Sequence, residues 1–152
     1  MSFTLDTTIA FPTANNAIIV RNEPVLWQPG QRTGNDVNLA GVDGSLARPR
    51  YLTTTVHTLE LVISGRVRVT GTATTSAANL EANVLYMRET VCVPGSNPDG
   101  TRALSVLMPS GGTLTGDVHV LNFRFGQVAP HAKWALATVD ISIPAGELTS
   151  TP

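Results

Sequence analysis

From Thr58 to Thr70 the side chains alternate between two characters with a period of two. The odd positions are Leu59, Leu61, Ile63, Gly65, Val67 and Val69; the even ones are Thr58, Glu60, Val62, Ser64, Arg66, Arg68 and Thr70. Successive side chains of a strand point to opposite faces, so this pattern predicts a long strand with one face on a core and the other largely polar. A helix, with 3.6 residues per turn, would scatter the same leucines around its circumference. Gly65 interrupts the apolar row and predicts a bulge or the close approach of another backbone.

A sheet must surround such a strand, and the rest of the chain supplies candidates. Ala17–Arg21 reads as a strand that Pro24 stops. Leu104, Val106 and Met108 alternate, Pro109-Ser110-Gly111-Gly112 forms a turn, and another strand follows. In the segment DVHVLNFRF the apolar parity moves from Val118 and Val120 to Leu121, Phe123 and Phe125, which predicts a β-bulge near Val120. Trp134 and Leu136 followed by Val139, Ile141 and Ile143 predict a second switch near Ala137. One strong helix interrupts the strands. Thr74, Thr75 or Ser76 can cap it. Ala77, Leu80, Val84, Met87 and Val91 form its apolar stripe, with Asn79, Glu81, Asn83 and Arg88 expected largely elsewhere. Pro94 and Gly95 end it near Cys92.

The expected fold is therefore mainly β: an antiparallel two-sheet β-sandwich with one flanking α-helix and a long loop in the N-terminal half. Residues 1–152 are read as a single domain, with an extended arm over 25–50 and a short frayed tail over 147–152. The arm shows no sustained periodicity and several turn signals, among them Gln28-Pro29-Gly30 and Asp43-Gly44. It also carries Val25, Leu26, Trp27, Leu39, Val42 and Leu46, which are costly to leave in water. The arm is accordingly expected to be an assembly element, ordered against a neighbouring subunit. Only 14% of the residues are charged, against about 25% in ordinary soluble domains. So large an uncharged surface also suits a chain that meets other protein.

Chemistry is sparse by comparison. The formal charge is −1 and the chain has one cysteine, Cys92. These argue against binding nucleic acid through overall positive charge, and against a disulfide framework or cysteine-based metal cluster. No basic n-region with an apolar run opens the chain, and no stretch reaches the roughly 20 apolar residues of a membrane span. His57 precedes the long strand, His119 lies within a strand and His131 sits in a turn. No serine sits in a G-x-S-x-G elbow, Cys92 has no neighbouring histidine in sequence, and ordinary fold positions explain all three histidines. Cys92 reads as a small buried hydrophobe. The arginine pairs Arg48/Arg50 and Arg66/Arg68, with Glu60 nearby, read as a solvated or interfacial face. The expectation is a protein that is not an enzyme, with no cofactor, no metal and no membrane insertion.

Taken in order, several segments carry a resemblance: the first strand, the Val-Leu-Trp cluster, AGVDGSLARPRYL, TLELVISGRV, SAANLEANVLYMRETV, RALSVLMPSGG, GDVHVLNFRF and VDISIPAGEL. The most particular parts are DISIPAG and the DGS-x-x-x-PR segment. The chain from Asn16 to Leu148 resembles the tail-tube and distal-tail superfamily of long-tailed bacteriophages, especially minor tail proteins of phages of high-GC Gram-positive bacteria. The resemblance implies a helix-flanked β-sandwich assembled as a ring, usually of six subunits, around a channel through which DNA passes.

On that reading the chain is a structural virion protein in the phage tail, made in the bacterial cytoplasm. Its partners are itself as a homo-oligomeric ring, other tail proteins above and below, and DNA only in transit. Full distal-tail proteins often carry a second, carbohydrate-binding-like domain, whereas this chain ends after one sandwich. Tip ring, tube and head-proximal completion ring therefore all stay open. Val25, Leu26, Trp27, Leu39, Val42, Leu46, Arg48 and Arg50 are the expected subunit-interface residues. Glu60, Ser64, Arg66 and Arg68 are expected on a face turned to the lumen or to a stacked ring. The alternative is a monomeric β-sandwich binding or adhesion module, lectin-like, that recognises a host-surface ligand.

Overall fold

The computed structural model describes residues 2–28 and 54–152, and only the backbone at 31–32, 37–38 and 45–46. In chain order the strands are β1 (Phe3–Leu5), β2 (Ile9–Phe11), β3 (Ile18–Val20), β4 (Gln31–Arg32), β5 (Val37–Asn38), β6 (Ser45–Leu46) and β7 (Thr55–Ser64). Helix α1 (Ser76–Tyr86) follows, then β8 (Arg102–Leu107), β9 (Thr113–Val128), β10 (Trp134–Ile143) and β11 (Thr149–Thr151). The protein is mainly β with one α-helix among the described residues.

Among the described residues every strand pairing is antiparallel, and the main sheet runs β2-β1-β8-β9-β10-β7-β3. β4 joins it on β7 and β11 on β9, while β5 and β6 pair separately. The 16-residue β9 gives one half, Thr113–Val118, to β8 and the other half to β10. Bending one strand through both halves wraps the sheet around the core, and its two ends, β2 and β3, come together. The result is an antiparallel sheet nearly closed into a barrel-like shape.

The strand predicted from Thr58 to Thr70 is β7, displaced toward the N-terminus. Leu59, Leu61 and Ile63 are buried, as the alternation requires. Burial of each such side chain contributes about 1.5–3 kcal/mol. The strand stops at Ser64 because Gly65 lies against another backbone. Its N–H donates to the Lys133 carbonyl at 2.8 Å, and a Cβ there would collide with the Ala132 carbonyl oxygen. Arg66 and Arg68 therefore follow the strand instead of lying on it.

β10 pairs with β7 residue for residue, from Trp134–Ser64 to Ile143–Thr55, without a break. The parity switch expected near Ala137 is absent. Ala135, Ala137, Val139, Ile141 and Ile143 all face the core, while Trp134 and Leu136 lie on the other face. Two small alanines on the inside had disguised the pattern. The irregularities sit on β9: its pairing with β10 steps from Leu121–Asp140 to Arg124–Thr138, and again from Phe125–Ala137 to Val128–Ala135. Each step inserts an extra residue on β9. The first bulge, holding Asn122 at φ +56°, lies just beyond the expected Val120. The tail is not frayed, because β11 pairs Thr149–Thr151 with Thr115–Thr113.

Helix α1 begins where expected, with the Thr75 hydroxyl accepting from the Ala78 N–H at 3.4 Å. A π-helical turn over Met87–Val91 extends it to Cys92. Leu80, Met87 and Val91 are buried, whereas Ala77 is exposed. The asparagines expected elsewhere are also inside: Asn79 and Asn83 are each 1% exposed. The loop after β7 runs alongside this face and leaves backbone groups unpaired. Asn79 donates to the carbonyls of Gly65 (3.0 Å) and Thr74 (3.3 Å) and accepts from the Thr74 N–H and from Arg68 Nε. Asn83 donates to Ser64 O and Val67 O, both at 2.8 Å, and accepts from the Val69 N–H. Buried amides are tolerated here because their hydrogen-bonding capacity is used.

Candidate functional site

The arm residues separate into two groups. Val25, Leu26 and Trp27 lie in a short 3-10 turn, Glu23–Trp27. Leu26 is 2% exposed in the core, with Val25 and Trp27 packed against it. The expectation that a neighbour is needed to bury them is corrected for Leu26, which the chain's own core buries, while Val25 and Trp27 are partly buried against it. The turn sits beside β7, with the Val25 backbone close to His57. Leu39, Val42, Leu46, Arg48 and Arg50 have side chains outside the described residues.

The expected polar-face residues also divide. Glu60 and Ser64 lie on the outward face of β7, Glu60 exposed and Ser64 half-buried. Arg66 is exposed in the loop beyond, and Arg68 turns back to Thr74 Oγ1 at 2.7 Å and Asn79 Oδ1 at 2.9 Å. The register shows what else this face carries. One row across β7, β10 and β9 is Glu60–Thr138–Arg124. The next across β3, β7 and β10 is Ile19–Val62–Leu136, with Trp134 beyond it opposite Ser64. Ile19 is 42% exposed and Trp134 40%. An apolar stripe thus crosses three strands on the side turned away from the core. No single segment of the sequence carries a signal for it, because its members come from segments far apart in the chain.

Beside the stripe a polar cluster is largely satisfied. Asp140, 7% exposed, accepts from Thr58 Oγ1 at 2.7 Å and Asn122 Nδ2 at 3.1 Å, with Arg124 at 3.4 Å. The left-handed Asn122 of the bulge thus takes part in this cluster. Asn22 ties in the preceding loop, donating to Thr58 O and accepting from the Glu60 N–H.

The titratable groups are dispersed. His57 lies within β7, not before it, and faces the core at 4% exposure. Burial pushes its pKa below the usual 6.5, opposed by the Val25 backbone beside it. His131 is exposed in the Pro130–Ala132 turn at φ +58°. His119 lies on β9 in a cleft of about 210 Å³, shared with Cys92, Val93, Pro94, Asp99, Gly100, Val120 and Leu121. Burial raises the Cys92 thiol to about 11, against a smaller opposing pull from Arg102. At neutral pH it is a thiol, not a thiolate nucleophile. Asp99 is held low by hydrogen bonds from Thr101. Among the described residues no three His, Cys, Asp or Glu side chains gather as a metal site. No helix among them is long and apolar enough to cross a membrane.

A second concavity, about 330 Å³, lies on the outward side of β1, β8 and β9. Its lining includes Thr4, Thr7, Ser105, Thr115 and Asp117. Thr4, Ser105 and Thr115 are direct cross-strand partners, so their hydroxyls form a row.

No protein-family model, curated protein or solved structure matches the chain. The functional reading rests on the residues themselves.

Proposed function

We propose that the chain is a structural subunit of a bacteriophage tail, assembled as a homo-oligomeric ring of six around the DNA channel. Its place is that of a distal-tail, minor tail or tube subunit, within the virion. Other tail proteins lie above and below it, and DNA contacts it only in transit. In this reading the sheet is a tail-tube-like sandwich in which β9 serves both layers. One layer is β2-β1-β8 with the first half of β9; the other is the second half with β10, β7 and β3.

The observation that carries the proposal is the outward stripe of Ile19, Val62, Leu136 and Trp134. Contiguous apolar surface of this kind marks a protein interface more often than free surface. The resemblance in segment order supports the same reading. Changing Ile19 to Ser together with Val62 to Thr keeps β-compatible side chains and removes apolar contact. The double variant is expected to melt within a few degrees of the parent and to lose its ring-sized mass in light scattering. A parent that is a 16.0 kDa monomer at all concentrations overturns the proposal.

The largely apolar groove crossed by the hydroxyl row of Thr4, Ser105 and Thr115 favours a second reading, a host-surface binding module for a polyhydroxylated ligand. A monomeric parent that binds neutral glycans, with binding lost in Ser105→Val, would select it.

A further inference from the structure

Charge is distributed unevenly along the axis of α1, although the whole chain is nearly neutral. At the N-terminal end of the helix three segments are tied together. Asn79 donates to Gly65 O, the Gly65 N–H donates to Lys133 O, and Asn15 donates to Arg68 O at 3.3 Å. The segments that meet here carry Arg66, Arg68, His131 and Lys133, and the nearest carboxylate along the helix is the exposed Glu81, two residues after Asn79. Arg66 and Lys133 are exposed, and neither they nor Arg68 forms an ion pair with any described carboxylate.

The other end is the reverse. Arg102 donates to Thr90 O and Val93 O beyond the helix, and its charge is met by Asp6 at 2.6 Å. Around it stand Asp99 and Asp117, both exposed, with Asn97 donating to Asp117 at 3.4 Å. Arg88 and Glu89 offset one another, and His119, Cys92 and Tyr86 are further titratable neighbours. From Asn79 to Thr90 the axial rise is about 16 Å, so the two clusters are at opposite ends of the molecule's helix. The helix dipole adds positive potential at the basic end and negative potential at the acidic end. Two independent sources of field therefore point the same way.

Resting on the assembly reading above, we infer that the Arg66–Lys133 end of one copy docks on the Asp99–Asp117 end of a second copy, head to tail. Charge complementarity selects this occupant. An overall charge of −1 and three cations suit a long polyanion poorly, whereas a second copy satisfies both ends at once. Shape agrees, because Trp134 stands exposed beside Lys133, and the 210 Å³ cleft at the acidic end has apolar walls from Val93, Pro94 and Leu121 together with Asp99. The contact is heterologous, so it propagates until a ring closes or a stack ends.

Two end-specific variants test this. Arg66→Gln with Lys133→Gln neutralises one end, and Asp99→Asn with Asp117→Asn the other. Each is compared with the parent by sedimentation from 50 to 500 mM salt (a chosen range spanning strong and weak screening), with melting curves to verify folding. The parent's association is expected to weaken with salt, and each variant's to fall by about tenfold or more at low salt. Mixing the two variants leaves one intact basic and one intact acidic end, so heterodimers are expected to form along this axis and extend no further. Variants that assemble like the parent overturn the head-to-tail contact and leave the ring reading intact. A parent monomeric at every salt overturns both. Retention of a single-stranded oligonucleotide by the parent and not by the Arg66/Lys133 variant, with assembly unchanged, assigns the basic end to a polyanion and overturns the inference.

Discussion

The two ends of α1 are fastened by different chemistry. At its start neutral amides do the work: Asn79 and Asn83 take up the backbone groups that the loop after β7 leaves open. At its end a buried cation does, with Arg102, 7% exposed, gathering Thr90 O, Val93 O and the carboxylate of Asp6. An amide carries no net charge, so its burial costs little once its hydrogen bonds are made. A guanidinium must be desolvated, and it is secure only while every partner stays in place. The difference predicts that the C-terminal fastening is the more fragile to mutation and the N-terminal one the more specific in geometry.

Removing the carboxylate from the charged end should have the largest effect. Asp6→Ala leaves the Arg102 guanidinium buried without its counter-charge, and a loss of about 3–5 kcal/mol in denaturant unfolding is expected. A loss under about 1 kcal/mol would mean that the two ends are equivalent. Asn83→Ala at the other end strands Ser64 O, Val67 O and the Val69 N–H, for an expected loss of about 2–3 kcal/mol. Asn83→Asp should not rescue it, because a carboxylate cannot donate to two carbonyls. Thr75→Ala, which removes only a long cap hydrogen bond, should cost about 0.5–1 kcal/mol.

His57 supplies a reference between the two ends. Its folded pKa lies below 6.5, so the unfolded chain takes up a proton first as the pH falls. Its contribution is fully present above the unfolded pKa and is lost as the pH drops from 6.5 toward the folded value. The parent should therefore lose stability below about pH 6.5, and His57→Gln should remove that part of the pH dependence. At pH 8 neither the parent nor the variant should show a pH slope from this site. An unchanged slope in the variant would place the titration elsewhere.

Much of the architecture was legible because periodicity is local. β7, β8, the first half of β9 and α1 each bury a face that repeats within a few residues, and the bulge on β9 disturbs that repeat where it occurs. Trp134 and Leu136 misled for the same reason. Their bulk mimicked a core face, while Ala135 and Ala137, the true core positions, carry too little hydrophobicity to stand out. Asn79 and Asn83 were unreadable for another reason: an asparagine looks polar until one knows which backbone groups await it. The stripe of Ile19, Val62, Leu136 and Trp134 had no signal in any single segment.

The amino-acid order by itself determined the β character of the chain, the position of its helix and the inner face of its long strand. Each of these follows from side chains a few residues apart that share one strand or one helical stripe. Only the tertiary structure decided that Leu26 is buried in its own core with Val25 and Trp27 packed against it, that β9 bends through both halves of a nearly closed sheet, and that the outward face is partly apolar. It also placed Arg66 beside Lys133 and Asp6 beside Arg102, pairs of residues far apart in the chain. Such neighbourhoods arise from strand register and from the closure of the sheet, which bring distant segments together without leaving a repeat in either one.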